Sequence, residues 1–383
     1  MRFDLATAAD LRFGAGRVAE VPGVVAGWGA RRALVVTGSN PARAAALREA
    51  LAGAGVESTA FAVSGEPSTD VVRDAVAVVA DGAEAVIGYG GGSALDVAKA
   101  AAALALAGTD PMDHLEVVGS GRPLTGPVLP CVAVPTTAGT GSEVTRNAVL
   151  AAGSVKASLR SPLLLPRLAV VDPDLLLGLP RSTITASGLD ALTQLIEPFL
   201  SIRATPLTDA LAREGLPRSA RSLEYAATQG LEDAGVREDL ALASLLGGLC
   251  LANAGLGAVH GLAGVAGARL AAAHGALCAA LLPATLRTNL GALRQRAPDH
   301  PALDRFSELA VLLTGRADAE PEDALAWVAS LCERLGVPGL ASLGLDPADV
   351  PDLVEAAARA SSMRANPIEL TVRELTEIVD RSM

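Results

Sequence analysis

A glycine-rich turn between an apolar segment and a helical pattern constrains the fold of this chain more than any other feature. The segment 85–89 has the length and character of a buried strand, and Gly90-Gly91-Gly92-Ser93 follows it directly. Glycines let the backbone turn sharply and leave no Cβ in the way of a ligand. We expect Ser93 to cap a helix that begins at Ala94. The free N–H groups and the dipole of such a helix start favour a phosphate group.

The glycine turn has two interpretations. A glycine triplet alone favours a tight strand-to-helix connection that binds no ligand. Asp96 and Lys99, one helical turn apart in the following segment, favour a nucleotide loop instead. We therefore expect Gly91, Gly92 and Ser93 to contact a cofactor pyrophosphate through backbone N–H groups. Asp96 is assigned to the same cofactor site.

Length and charge limit the class of protein. A chain of 383 residues exceeds one comfortable core, so two domains are expected. The net charge of −11 argues against nucleic acid or an anionic membrane as a partner. The N-terminal residues have no signal-peptide pattern, and the four cysteines have no paired spacing. We expect reduced thiols and a cytoplasmic location.

Residues 240–268 carry no charge over a length that would suffice to span a membrane. The run nevertheless contains Ser244, Asn253 and His260, is broken by many glycines and lacks basic flanks. We interpret it as buried helices of a globular domain, with a spanning helix as the less favoured alternative.

The first half of the chain alternates between strand and helix patterns, as in a parallel sheet that binds its ligand at the carboxyl ends of the strands. The predicted strands are 33–37, 56–63, 85–89, 131–134 and 168–172, and the predicted helices include 43–53 and 71–81. We expect an α/β dinucleotide-binding domain over residues 1–179.

The second half, residues 180–383, is predicted to be an all-α domain that carries the metal and substrate site. Long Ala- and Leu-rich helical patterns replace the strand patterns after the boundary near Leu179-Pro180. The predicted helices are 183–200, 207–226, 240–253, 302–313, 321–335 and 349–360.

A second polar loop follows the predicted strand 131–134. The segment Pro135–Glu143 is dense in hydroxyl groups and glycines and offers many hydrogen-bond donors to a phosphate or ribose. The candidate cofactor-binding residues here are Thr136, Thr137, Thr140 and Ser142. An ordinary solvent loop is the weaker interpretation, because so polar a segment directly adjoins a buried strand.

The helical half contains residues typical of a metal site. Asp190 and Gln194 are four residues apart and share one helix face. His260 and His274 each stand beside a glycine. Two histidines and one carboxylate suit Zn²⁺ or Fe²⁺ with positions left open for substrate. The alternative is a pair of structural histidines and a plain helix-start carboxylate.

Six motifs, taken together, resemble the iron-containing (group III) alcohol dehydrogenases. They are Gly90–Ser93 with Asp96 and Lys99, Pro135–Glu143, Gly188–Thr193, Gly255–His260, His274-Gly275 and Ser361–Pro367. They occur in the family's order over nearly the whole chain. The resemblance implies an N-terminal dinucleotide domain, a C-terminal helical domain, and a cleft between them for metal and substrate.

Carried over from the family, the ligands of one divalent ion, Fe²⁺ or Zn²⁺, fall on Asp190, Gln194, His260 and His274. The family has histidine at the Gln194 position, and an amide oxygen is a poorer ligand than imidazole. Many members also have a histidine near the substrate where this chain has Gly264. Both departures concern the substrate and the proton route, not the fold.

Lysine is rare in this chain: the sequence has Lys99 and Lys156, while arginine provides the other basic side chains. An ammonium and a guanidinium differ in size, hydration and geometry, so these two positions are candidates for a specific need of the ammonium. Lys156 matches a family lysine near the cofactor and substrate, and we assign it to catalysis and cofactor binding. For Lys99, the alternative is a lysine on a helix face that has remained by chance and has no specific role.

Cofactor choice is expected to depend on the residues after the first predicted strand. An acidic residue there usually selects NAD by binding the ribose hydroxyl and repelling a 2′-phosphate. This chain has Gly38-Ser39-Asn40, and in the family an aspartate at the Gly38 position accompanies NAD preference. We therefore expect NADP(H) to be accepted alongside NAD(H), with Ser39 and Asn40 near the 2′-phosphate. The alternative is that these residues only cap the start of a helix, in which case the protein would use NAD(H) and NADP(H) similarly.

The leading hypothesis is an NAD(P)-dependent oxidoreductase that transfers hydride between nicotinamide and a small alcohol, aldehyde or ketone with the help of a metal. The catalytic candidates are Asp190, His260, His274 and Lys156. Alternatives are a metal-free enzyme like the maleylacetate reductases, a lyase like dehydroquinate synthase, and a non-catalytic nucleotide-binding protein. The absence of lysine from the second half of the sequence counts against the lyase. We expect a homodimer or larger homo-oligomer.

Overall fold

A computed structural model of the protein describes residues 2–153, 155–270 and 272–383. The chain divides into two compact units. One is Ala6–Leu177, and the other is Gly178–Met383 together with the N-terminal residues up to Leu5. The boundary expected from the sequence, between residues 179 and 180, lies just beyond this division.

The first unit contains a six-stranded, fully parallel sheet and a separate antiparallel hairpin. The strands are β1 Asp10–Phe13, β2 Arg32–Thr37, β3 Glu57–Ala62, β4 Ala85–Gly90, β5 Cys131–Pro135, β6 Asn147–Ala152, β7 Val155–Arg160 and β8 Leu168–Val171. The sheet order is β1-β8-β5-β4-β2-β3, and β6 pairs with β7. The predicted parallel α/β architecture is confirmed.

Helices cover both faces of the sheet. In this unit they are α1 Val21–Gly27, α2 Ala45–Gly53, α3 Thr69–Ala80, α4 Gly92–Leu104 and α5 Pro111–His114. Side chains of β2 alternate between two cores. Ala33 and Val35 pack with α1 and α2 on one face, whereas Leu34 and Val36 pack with α3 and α4 on the other. Burial on both faces explains why the strands read as continuous apolar runs.

The order of the strands creates a switch point between β2 and β4. These strands are neighbours, but the chain leaves β2 towards β3 and leaves β4 towards β5, in opposite directions across the sheet. Ligands of such sheets bind at the carboxyl ends of the two strands where the order reverses. The loops that follow β2 and β4 therefore begin at the expected ligand edge.

The start of α4 corrects one prediction. The helix begins at Gly92 with Gly91 as its N-cap, and no side chain caps it, so the predicted Ser93 cap is wrong. A Cβ at Gly92 would lie 2.7 Å from Cγ2 of Thr140, which leaves no room for a side chain there. The helix therefore extends back into the glycine turn, where the sequence shows no helical pattern.

Lys99 of α4 is a buried structural residue. It is 1% exposed, and its ammonium donates to the Ser142 carbonyl at 3.0 Å and to Thr145 Oγ1 at 3.2 Å. The same nitrogen donates to the Asn147 carbonyl and lies 3.1 Å from Asp96 Oδ1. Lys99 thus joins α4 to the segment before the hairpin, and it is not a chance survivor on a solvated face.

The second unit is all-helical, as predicted. Its helices are α6 Arg181–Leu200, α7 Pro206–Gln229, α8 Ala234–Ala254, α9 Ala258–Arg269, α10 His274–Arg296, α11 Ala302–Thr314, α12 Pro321–Arg334, α13 Val350–Ala358 and α14 Val372–Arg381. The predicted helices do not include α10 and α14, and they give α9 no bounds of its own within the run 240–268. Apolar residues surround α9 and much of α10, so neither shows the one-sided periodicity by which surface helices are recognised.

The uncharged run 240–268 forms parts of two helices, not one straight span. α8 and α9 meet at an angle of 99° across their break. α10 is also long and apolar enough to cross a membrane by composition, but 67% of its apolar window is buried inside the protein. The core helices of globular proteins meet the same criterion of length and composition. The bend between α8 and α9 agrees with the interpretation of the run as buried helices.

Glycines let neighbouring helices approach α6 closely. A Cβ at Gly275 of α10 would lie 2.1 Å from the Ala186 carbonyl oxygen, and one at Gly247 of α8 would lie 3.2 Å from that of Ala191. On α6 itself, a Cβ at Gly188 would lie 2.2 Å from Leu223 of α7. Helix α6 is therefore packed on several sides by close backbone contacts.

The first prediction concerns the contact between α6 and α10. We expect Gly275→Ala to destabilise the protein by about 2 kcal/mol or more, because its methyl group would collide with a backbone carbonyl that cannot rotate away. Gly264→Ala is the matched control, since no atom lies within 4 Å of a Cβ at Gly264. Within helix α9 this change should stabilise by about 0.5–1 kcal/mol. Urea unfolding of both variants measures the difference, and equal effects would contradict the prediction.

The second prediction concerns Lys99. Lys99→Met should destabilise the protein by about 3 kcal/mol, because it leaves a carboxylate and two carbonyls without their buried donor. Lys156→Met is the control. The Lys156 ammonium pairs with a Glu66 side chain that is 50% exposed, and loss of such a pair should cost less than about 1 kcal/mol. Thermal and urea unfolding compare the two variants, and a Lys99→Met protein as stable as Lys156→Met would refute the structural role.

Candidate metal centre and cofactor loops

Three loops lie together at the carboxyl edge of the parallel sheet. They are the segments 38–40 after β2, 91–93 after β4 and 136–142 after β5. A Cβ at Gly90 would lie 3.1 Å from the backbone nitrogen of Gly38, and one at Gly91 would lie 3.3 Å from Thr137 Oγ1. The structure therefore brings together the three segments in which the sequence predicted cofactor contacts.

The start of α4 offers backbone donors at this edge. The first helical hydrogen bond runs from Leu95 N–H to the Gly91 carbonyl, at 3.1 Å. The N–H groups of Gly92, Ser93 and Ala94 precede that bond and have no partner within the helix. Such groups, together with the helix dipole, form an anion-binding end. Ser93 can therefore take part through its backbone although its side chain is not a cap.

Side chains of the other two loops differ in their exposure and in whether they already have a hydrogen-bond partner. Ser39 is exposed, whereas Asn40 accepts a hydrogen bond from Ala42 N–H at 3.1 Å and caps the short 3₁₀ helix Pro41–Ala44. Thr136 is buried, while Thr137 and Thr140 are partly exposed beside the glycine turn. A Cβ at Gly38 would meet no atom within 4 Å.

Asp96 and Ser142 bind each other. Asp96 Oδ1 accepts from Ser142 Oγ at 2.5 Å, and Oδ2 accepts from Val149 N–H at 2.9 Å. Lys99 lies against the same carboxylate. These side chains hold the loop after β5 on α4, so their contribution to a cofactor site is to position the loop.

Lys156 lies on β7 of the hairpin. Its ammonium is 2.8 Å from Glu66 Oε1, in the segment between β3 and α3. The ion pair ties the hairpin to that segment. The partner of Lys156 is therefore the Glu66 carboxylate. The described contacts of Lys156 do not include the glycine turn.

A second group of chemically active side chains lies within the helical unit. Asp190 of α6, His260 of α9, and His274 and Cys278 of α10 each place one potential ligand atom within 4.8 Å of the others. Asp190, His260 and Cys278 are buried, and His274 is partly exposed. The structure therefore brings together the three strong metal ligands predicted from the sequence and adds a thiol.

Glu197 positions His260. One oxygen of Glu197 accepts from Val259 N–H at 2.7 Å, at the start of α9, and the other lies 2.6 Å from His260 Nδ1. Asn366 Oδ1 accepts from Ala258 N–H at 3.1 Å and satisfies a neighbouring donor of the same helix end. With Nδ1 held by a carboxylate, the Nε2 atom of His260 faces Asp190 Oδ1 at 3.3 Å.

The charged groups of the cluster shift one another's pKa values. Burial alone would raise the pKa of Asp190, but hydrogen bonding from His260 and the charge of His274 hold that pKa below its usual value. Burial lowers the pKa of His260. The neighbouring Cys278 thiolate, Asp190 and Glu197 have a larger, opposite effect, so the pKa of His260 is raised well above its usual value. The thiolate of Cys278 likewise raises the pKa of His274. Burial raises the pKa of the Cys278 thiol, but the two imidazoles outweigh that effect and lower its pKa.

The distances between the ligand atoms fit a shared metal ion. In tetrahedral Zn²⁺ sites, bond lengths of about 2.0–2.3 Å place neighbouring ligand atoms about 3.3–3.7 Å apart. The His260 Nε2 to Asp190 Oδ1 distance is 3.3 Å, and the Cys278 Sγ to His274 Nε2 distance is 3.6 Å. The carboxylate on His260 Nδ1 is the usual partner of a metal-binding imidazole. The residues present therefore fit a divalent ion.

Gln194 lies beside the cluster, one turn after Asp190. Its side chain is buried, and its amide helps to lower the pKa of the Asp190 carboxyl. Its carbonyl oxygen Oε1 has no hydrogen-bond partner among the described residues. An unpaired buried carbonyl beside a cation site can serve either as a weak ligand or as an acceptor for water or substrate.

The sequence analysis missed Glu197 and Cys278. Glu197 is seven residues after Asp190 and so lies on the same face of α6, within an otherwise apolar stretch. Cys278 is four residues after His274 and shares its face of α10. Both spacings are visible in the sequence, but a spacing shows which residues share a face and not what that face meets.

Comparisons with known proteins identify the family of this chain. Residues 8–173 match the family model described as "Iron-containing alcohol dehydrogenase", and residues 184–383 match "Fe-containing alcohol dehydrogenase family, C-terminal". The 1,3-propanediol dehydrogenase of Klebsiella pneumoniae is 36% identical over 342 residues, which cover 87% of this chain and 84% of that protein.

Two further relatives cover still more of the chain. The 4-hydroxybutyrate dehydrogenase of Cupriavidus necator is 33% identical over 366 residues, 93% of each chain. A crystal structure of 1,3-propanediol oxidoreductase superimposes with a TM-score of 0.91 at 31% identity and covers 100% of both chains. The protein therefore belongs to the iron-containing alcohol dehydrogenase family, whose members bind NAD(P) and a divalent metal and act on small alcohols and aldehydes.

Proposed function

We propose that this dehydrogenase interconverts a small aliphatic alcohol and its aldehyde with one divalent ion held by Asp190, His260 and His274. The observation that carries the proposal is the convergence of these three side chains with their ligand atoms within 4.8 Å of one another. The relatives named for 1,3-propanediol and 4-hydroxybutyrate support a short, linear substrate.

The chemistry divides between the bound groups and the chain. When bound, the nicotinamide supplies or takes the hydride, and the divalent ion polarises the substrate oxygen. Asp190 contributes the negative charge that attracts the ion. Glu197 fixes the tautomer of His260, so that Nε2 presents its lone pair to the ion. The buried helices around them exclude water from these groups.

Proton transfer is proposed to use water or a ribose hydroxyl of the cofactor. Gly264 lies one helical turn after His260 on α9, and no atom lies within 4 Å of its Cβ position. A chain with glycine here offers space in place of an imidazole base.

The cofactor is proposed to bind at the loops after β2, β4 and β5. In this proposal the N–H groups of Gly91, Gly92 and Ser93 bind the pyrophosphate, and Thr136, Thr137 and Thr140 add hydroxyl groups. Asp96 and Ser142 support the loop through their mutual hydrogen bond. Lys156 is proposed to act near the nicotinamide after leaving Glu66, since its partner is half exposed.

NADP(H) is proposed to be accepted because the β2 loop lacks an acidic residue. Gly38 is partly exposed with open space at its Cβ position, and Ser39 and Asn40 are exposed beside it. A 2′-phosphate would meet neither a carboxylate nor a steric barrier at this loop.

The alternative functions have less support. The relatives are named as alcohol, propanediol and hydroxybutyrate dehydrogenases, which favours a dehydrogenase over a lyase. A donor set of two imidazoles and a carboxylate with a thiol favours a metal enzyme over a metal-free reductase. We further propose a homodimer or larger homo-oligomer in the cytoplasm, where the buried, unpaired cysteines would remain reduced.

The third prediction tests cofactor choice. Gly38→Asp should lower kcat/KM for NADPH by about tenfold or more and spare NADH, because the carboxylate would repel the 2′-phosphate. Gly53→Asp is the control, since it adds the same charge at an exposed position at the far end of α2. Steady-state kinetics with both cofactors give the ratios. A hundredfold preference of the unaltered enzyme for NADH, or no change of the ratio in Gly38→Asp, would refute this part of the proposal.

The fourth prediction tests the metal. His260→Ala should abolish stoichiometric binding of Zn²⁺ or Fe²⁺ and reduce turnover by at least about a hundredfold, because it removes a strong ligand. His300→Ala is the control, since it removes an imidazole that is not part of the metal cluster. The His300 imidazole instead accepts from Ala302 N–H at the start of α11. Gln194→His should slow metal loss to a chelator by restoring an imidazole.

Metal content, the rate of metal loss to a chelator and steady-state turnover are measured on the same preparations of these variants. Unchanged turnover in His260→Ala, together with an unchanged rate of metal loss in Gln194→His, would show that the ion is not part of the reaction.

A further inference from the structure

Cys278 differs from the other cysteines in what surrounds its sulfur. Cys131, Cys250 and Cys332 are buried with their sulfur atoms directed at backbone carbonyls. The Sγ atom of Cys278 instead lies 3.6 Å from His274 Nε2, within the group that also contains Asp190 and His260. A buried thiol among two imidazoles and a carboxylate has the composition of a metal site and not of an apolar core.

The positions of the two α10 residues give this arrangement. His274 and Cys278 are four residues apart, so their side chains leave α10 on one face. Gly275 lets that face approach the α6 backbone, since a Cβ there would lie 2.1 Å from the Ala186 carbonyl oxygen. The same close approach thus brings both side chains to Asp190, one turn farther along α6.

Gln194 and Cys278 are the two candidates for a fourth ligand. Gln194 Oε1 has no hydrogen-bond partner among the described residues. A neutral amide oxygen is nevertheless a weak ligand, whereas a thiolate is charged and binds Zn²⁺ strongly. The 3.6 Å separation of Cys278 Sγ from His274 Nε2 suits two ligands of one Zn²⁺ ion. Such an ion can also accept a fifth ligand, which leaves a position for the substrate oxygen.

We propose that Cys278, and not Gln194, completes the ligand set, which is then Asp190, His260, His274 and the Cys278 thiolate. On binding, any proton held by the Cys278 sulfur or by the two coordinating imidazole nitrogens leaves to solvent, and a metal–sulfur bond forms without any oxidation or reduction. The soft sulfur ligand shifts the selectivity of the site from Fe²⁺ towards Zn²⁺. This inference rests on the metal site of the proposed function.

Cobalt substitution tests the ligand directly. Apo-protein is titrated with Co²⁺ under anaerobic conditions, and absorption is recorded for the unaltered protein, Cys278→Ser and the control Cys250→Ser. Thiolate ligation gives a near-ultraviolet charge-transfer band, which we expect in the unaltered protein and the control and not in Cys278→Ser. The Kd for Zn²⁺ should rise about tenfold or more in Cys278→Ser, and the ratio of Zn²⁺ to Fe²⁺ affinity should fall.

X-ray absorption at the zinc edge of the unaltered protein provides a measurement that does not depend on the folding of a variant. We expect one sulfur neighbour at about 2.3 Å. Stoichiometric Co²⁺ or Zn²⁺ binding with no charge-transfer band and no sulfur neighbour would overturn the role of Cys278 and leave the proposed metal site intact. Failure of the unaltered protein to bind either ion would overturn both.

Discussion

The close approach of α10 to α6 is the contact on which the helical unit depends. The carbonyl of Ala186 occupies the space where any side chain at position 275 would lie. Because the two backbones meet at this point, the residues that flank it on α10 reach the residues one turn farther along α6. His274 and Cys278 therefore arrive beside Asp190 as a consequence of helix packing, and a glycine is the condition for it.

Glu197 connects the same packing to the third helix of the site. Its carboxylate satisfies a free N–H group at the start of α9 and also holds Nδ1 of His260. A helix start carries a partial positive charge, so an anionic side chain is stable there despite its burial. One residue thereby fixes where α9 begins and which nitrogen of its histidine faces the cluster.

Sequence patterns identified the apolar strands of the sheet but missed α9 and α10, two apolar helices of the second unit. Residues 33–37 and 85–89 read as strands because apolar residues run through them, and the sheet covers both of their faces. The all-round apolar character of α9 and α10 removes the period that would mark them as helices. At the start of α4, the helix begins at Gly92 without a side-chain cap, and Thr140 leaves no room for a Cβ at that residue.

The site was predictable in part for a similar reason. Asp190, His260 and His274 are side chains whose chemistry is unusual in a helical background, and the family motifs around them made them recognisable. Cys278 has ordinary apolar neighbours in the sequence, and a single cysteine is common in a protein core. Its proximity to two imidazoles arises from the packing of three helices. Lys99 shows the same limit, because nothing local marks it as a buried donor to three carbonyl or hydroxyl oxygens.

A thiolate ligand changes the charge of the metal group in this chain. A divalent ion with one carboxylate and neutral nitrogen or amide ligands keeps one net positive charge, and the Glu197 carboxylate on His260 Nδ1 balances it from outside the ligand set. A thiolate adds the second negative charge and makes the group of ion and ligands neutral. The neutral group withdraws less electron density from a substrate oxygen, so its Lewis acidity is weaker. A weaker Lewis acid leaves more of the rate enhancement to the positioning of cofactor and substrate.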